Sequence, residues 1–94
     1  MNNELQDYLN VIRKNLSLLQ QTYHVKSIGI FGSVATATQT QSSDIDIMIE
    51  LSEPIGFFAF LELESFLEQL LGRPVDLVTK PAIKPAILKE VVYV

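Results

Sequence analysis

Between Gly29 and Glu50 the chain reads GIFGSVATATQTQSSDIDIMIE, a run that few folds can accommodate. An apolar segment stops at Gly32-Ser33, ten residues intervene, and Asp44-Ile45-Asp46 opens a second apolar segment. Alternate side chains of a strand share a face. In the second segment Ile45, Ile47, Ile49 and Leu51 therefore point one way, and Asp44, Asp46, Met48 and Glu50 the other. A strand with one wholly apolar face must lie against a hydrophobic layer, so the pattern calls for a sheet covered on that side by helices.

The other face carries the chemistry. Asp44 and Asp46 are i, i+2 neighbours, near enough to share or bridge hard cations. Two like charges about 4 Å apart repel by roughly 4 kcal/mol at an effective dielectric near 20, a repulsion that a cation or a proton relieves. Magnesium needs only one or two carboxylates when phosphate oxygens and water complete its shell. Gly32 lacks a Cβ, so the backbone can turn sharply there and approach a ligand. Ser33 is expected as the N-cap of a short helix through Val34, Ala35 and Thr36, whose free N–H groups suit triphosphate oxygens. A third carboxylate, Asp76, interrupts the apolar strand Val75–Thr79. If that strand lies beside the Asp44–Leu51 strand, Asp76 joins the pair on one face. A phosphate cradle beside a two-ion site is what nucleotidyl transfer from a nucleoside triphosphate requires.

The remaining segments fit one α/β domain over residues 1–94, without repeats or a linker. Leu5, Tyr8, Leu9, Ile12, Leu16 and Leu19 recur at helical spacing and predict a first helix. Val25–Phe31 and Asp44–Leu51 are the first two strands, and the Thr/Gln/Ser-rich stretch Thr36–Ser43 is expected as a mobile loop over the site. Phe57–Leu71 reads as a helix ended by Gly72, richer in Phe and Leu than one core face needs. Core packing takes most of these side chains, and a partner surface takes the excess. Pro81 and Pro85 punctuate a short helical segment, and Val91–Val94 predicts a final strand.

The expected fold is thus a small single domain with a mixed sheet of three to four strands and helices on one face. The site is expected at an edge of the sheet, where strand one turns at Gly32 and strand two begins at Asp44. At 48% hydrophobic and 19% charged residues the chain is not a disordered one. A net charge of −4 opposes direct nucleic-acid binding, which needs a basic stripe. Without cysteine there is neither a disulfide nor a thiolate zinc site, and His24 reads as a loop or strand-entry residue. No secretory signal or membrane-length apolar run is seen, so the expected compartment is the cytoplasm, with no membrane association.

Gly32-Ser33, the ten-residue gap, Asp44-Ile45-Asp46, the downstream Asp76 and the ending Ile87–Val94 together resemble the minimal nucleotidyltransferases of the DNA polymerase β superfamily, antitoxin-type partners of HEPN-domain toxins. The resemblance covers nearly the whole chain. It implies that Gly32, Ser33 and Ser43 hold the triphosphate of ATP, and that Asp44, Asp46 and Asp76 hold Mg2+, as two ions, and serve catalysis. It also implies AMP transfer to a hydroxyl, a tyrosine, of a HEPN toxin in a hetero-oligomer. The alternative is a binding module that neutralises a toxin by covering it. The family pattern Gly-Ser-x-Ala-Arg-Gly departs here to Gly32-Ser33-Val34-Ala35-Thr36-Ala37, with no guanidinium near the phosphates. Lys26, Lys80 and Lys84 are the candidates for a substitute charge.

Overall fold

The computed structural model describes residues 4–36 and 44–94. The expected first helix is two: α1 (Glu4–Lys14) and α2 (Leu16–Tyr23), parted at Asn15. There the Asn15 side-chain amide donates to the Val11 carbonyl oxygen at 2.8 Å, offering the backbone an alternative to continued helix. α2 ends at His24, in left-handed conformation at φ 57°, whose N–H closes back on the Leu19 carbonyl oxygen. From that turn the chain enters β1 (Val25–Phe31), followed by the short helix α3 (Gly32–Ala35) and β2 (Ile45–Leu51). α4 (Phe57–Leu71) is capped by Gly72 at φ 69°, as its sequence predicts. β3 (Val75–Thr79), a 3-10 turn over Lys80–Ala82, α5 (Pro85–Leu88) and β4 (Val92–Tyr93) complete the order.

Among the described residues the sheet has four strands in the order β3-β2-β1-β4. β1 runs antiparallel to both β2 and β4, and β2 runs parallel to β3. The parallel pair needs a crossover, which α4 supplies. Ile28 and Ile30 stand opposite Ile49 and Ile47, and Ile45 and Ile47 opposite Val75 and Leu77. These residues form one buried cluster with Leu9, Ile12, Leu19 and Tyr23 from α1 and α2 and Leu63, Leu67 and Leu71 from α4. The sheet is thus mixed, with its helical layer on the isoleucine face, as expected; Leu51 at the strand end is only half-buried.

The carboxylate face is not wholly open. Met48 points to it yet is completely buried, and it stands outside the isoleucine cluster. Its rung neighbour Gly29 shows how closely the C-terminal segment approaches this face. A Cβ on Gly29 would fall 2.8 Å from the Val92 carbonyl oxygen and 2.5 Å from Val91 Cγ1. Gly29→Ala should therefore displace β4, destabilising the domain by about 1–3 kcal/mol. The checks are a lowered melting temperature and faster hydrogen exchange at Val94, whose N–H donates to the Ile28 carbonyl oxygen.

Candidate active site

The register assembles the site. Phe31 stands opposite Asp46 on β2, and Asp46 stands opposite Asp76 on β3. Directly opposed residues on neighbouring strands present their side chains to the same face. Asp46 and Asp76 therefore lie side by side, one strand spacing apart, with Asp44 just before β2. The site lies at the end of the sheet where β1 turns and β2 begins, and through Asp76 it reaches the outer strand β3.

Above this pair the chain turns at Gly32, with φ 72°, the left-handed region that glycine enters without penalty. A Cβ at Gly32 would land on the Asp46 carboxylate, 3.0 Å from its Cγ. The sequence marks Gly32 as a place where backbone can approach a ligand; the structure shows that it already approaches Asp46. Ser33 departs from expectation, since α3 begins at Gly32, Phe31 is its N-cap, and no side chain caps it. Ser33 thus sits inside the first turn, because the positive-φ glycine makes the turn without a capping hydroxyl. The Thr36 hydroxyl bonds back to the Gly32 carbonyl oxygen at 3.1 Å, so it closes α3. Ser43, expected among the phosphate ligands, and Ala37 lie outside the described residues.

Asp44 and Asp76 are exposed, whereas Asp46 is half-buried between them. Burial first, then the charges of Asp76 and Asp44, hold the Asp46 carboxyl above its ordinary value. All three aspartates thus share one electrostatic environment. Among the described residues, however, no three acidic or histidine side chains stand close enough to hold a metal ion by themselves. The two observations concern different ranges: charge repulsion reaches farther than a coordination bond. Adjacent hard-oxygen donors with one third carboxylate nearby suit a cation whose shell is completed by phosphate and water.

Of the candidate substitute cations, Lys80 lies 3.8 Å from Glu50, which also accepts from the Ser27 hydroxyl. Glu50 is four residues along β2 from Asp46, about 13 Å at 3.3 Å per residue. Lys26 follows Val25, opposite Leu51 at that same remote end. Neither lysine replaces the guanidinium: the antiparallel β1–β2 register puts Lys26, and the parallel β2–β3 register puts Lys80, at the end of the sheet away from Gly32.

This sheet order, with a glycine turn facing aspartates on two adjacent strands, defines a nucleotidyl-transfer fold. The nucleotidyltransferase domain model matches residues 9–93, and the chain belongs to that family, as an enzyme of its minimal, single-domain kind. A protein adenylyltransferase MntA of Thermococcus cleftensis is 37% identical over 96% of this chain and 95% of its own. A relative from Methanocaldococcus jannaschii, provisionally named a protein adenylyltransferase, is 42% identical over 96% of this chain and 97% of its own. Among solved structures, one provisionally named a minimal nucleotidyltransferase superposes with TM-score 0.75 at 26% identity, covering 98% of this chain and 95% of that one. A toxin–antitoxin structure with AMP-PNP superposes with TM-score 0.65 at 29% identity, over 83% of this chain and 64% of that one.

The raised Asp46 carboxyl has a signed consequence. A carboxyl that binds its proton more tightly when folded contributes stability fully below its unfolded value of 3.8, and loses it as pH rises through the folded value. Asp46→Asn, which removes that charge, should melt higher than wild type at pH 7 in metal-free buffer. The advantage should shrink as pH falls through the carboxylate range, as read by melting temperature against pH.

Proposed function

We propose that this chain transfers AMP from ATP to a hydroxyl, a tyrosine, on a HEPN-domain toxin partner, and so acts as an antitoxin. The observation that supports this reading best is the Asp46–Asp76 rung lying under the Gly32 turn. The adenylyltransferase names of the full-length relatives and the toxin–antitoxin assemblies among the structural neighbours agree with it.

In this reading the Gly32 turn and the N–H groups of α3 receive the triphosphate, with Ser33 and Ser43 adding hydroxyl donors. Asp46 and Asp76, with Asp44 beside them, hold Mg2+, which when bound neutralises charge on the reacting phosphates and the leaving pyrophosphate. The acceptor oxygen attacks the α-phosphorus as the bond to the β-phosphate breaks. Asp76, exposed on β3, is the carboxylate open to an incoming acceptor and takes its proton. The −4 charge leaves nucleic acid outside the partner set. In this reading the reaction takes place in the cytoplasm, and the finding that among the described residues no helix is long and apolar enough to cross a membrane is compatible with it.

The second reading, neutralisation by covering alone, is favoured by one observation: Thr36 stands where the family pattern carries arginine, and its hydroxyl turns back onto α3. Incubation with α-labelled ATP, Mg2+ and the HEPN partner separates the two. Wild type should label the partner, and Asp46→Asn and Asp76→Asn should each lower the rate about a hundredfold or more, since several kcal/mol of charge stabilisation goes with the metal. A wild-type complex that forms without labelling supports covering. Labelling retained by both variants contradicts the assignment of the aspartates.

A further inference from the structure

α4 begins with the largest apolar exposure on the described surface. Phe57 and Phe58 are 70% and 83% exposed, and Leu61, one turn on, is 42% exposed. The two rings meet edge to face, 5.7 Å between centroids, as a single raised patch. Soluble monomers rarely leave such rings unpartnered without a binding role. The helix does not need them for its own anchorage, because Leu63, Leu67 and Leu71 already bury its core-facing side.

The charges around the patch select the occupant. Every charged side chain of α4 is acidic: Glu62, Glu64 and Glu68. At the same end of the domain Glu53 is exposed and bonded to His24 at 3.1 Å, and Lys80 faces Glu50. Two copies meeting through this patch would set Glu62 and Glu64 against their counterparts, on chains that already carry −4 each. An anionic lipid surface would be repelled in the same way. An apolar surface bordered by Lys or Arg is complementary in both respects.

We propose that Phe57, Phe58 and Leu61 are the anchor on which a protein partner docks through an apolar patch bordered by basic side chains. This rests on the function proposed above only for the partner's identity, the HEPN protein. β2 connects the two ends of the domain, and from Asp46 to Leu51 it spans about 17 Å. The anchor is therefore remote from the carboxylates, so it sets affinity for the partner and not the rate of the chemical step.

The test compares wild type with Phe57→Ser/Phe58→Ser and with Glu62→Lys, each checked by thermal melt. Affinity for the HEPN protein is titrated at low and high salt, and AMP transfer is measured across partner concentration. The double variant should weaken binding tenfold or more and raise the KM for the partner, with kcat at saturation and ATP binding unchanged. Glu62→Lys should weaken binding at low salt and lose that effect at high salt. Loss of binding in the double variant supports the anchor even if wild type transfers no AMP, a result that sinks the transfer reading alone. Unchanged affinity and KM in the double variant overturn the anchor even if transfer proceeds. Self-association of wild type, or its adsorption to phosphatidylserine vesicles, abolished by the double variant, also overturns it by giving the patch another occupant.

Discussion

The approach of Gly32 to Asp46 is the contact on which the arrangement depends. It fixes the end of β1 against the start of β2 with no side chain between backbone and carboxylate. Because Asp46 is also in register with Asp76, the same contact places a backbone turn over two adjacent carboxylates. Burial, added to the charges of Asp76 and Asp44, keeps the Asp46 carboxyl raised. The protein thus maintains a repulsive cluster that a bound cation would relieve, and the isoleucine rungs beneath supply the cohesion that tolerates it. Several fully buried aliphatic side chains, each contributing about 1.5–3 kcal/mol, offset a repulsion of a few kcal/mol.

The domain consequently has two differently specialised ends. At one, the Gly32 turn stands over the aspartates of the candidate site. At the other, the chain leaves β2 at Leu51 and starts α4 with two exposed phenylalanines. Between them the C-terminal segment lies close over Gly29, and Met48 is buried on that face. A partner held at one end and modified at the other would have to span the domain, or two partner molecules would share the task.

Much of this was legible in the sequence where one period dominates. Alternation from Asp44 to Leu51 marks β2 and both of its faces, with its start set one residue early, and the largely β-branched and apolar stretch Val75–Thr79 marks β3 to its ends. Gly72 likewise marks the stop of α4. The break at Asn15 was not legible, because Leu16 and Leu19 continue the helical spacing across it while one side-chain hydrogen bond divides it. Met48 reads as a residue on a polar face, and only the tertiary path of the last residues buries it. The three aspartates could be listed from sequence, but their relation could not: the parallel pairing of β2 with β3 depends on where α4 returns the chain. Ser33 reads as a cap because serine often is one, whereas the positive φ of Gly32 moves the helix start two residues earlier.

The central claim is that one end of the sheet, and only that end, holds a divalent cation together with a nucleotide. Paramagnetic broadening in solution tests it most directly. With Mn2+ and ATP added at substoichiometric levels, the backbone resonances of Gly32, Ser33, Asp44, Asp46 and Asp76 should broaden first. Those of Glu50, Lys80 and Phe58, at the opposite end, should stay sharp. Broadening centred on Glu50 and Glu53, or spread evenly over the exposed acidic side chains, would contradict the account.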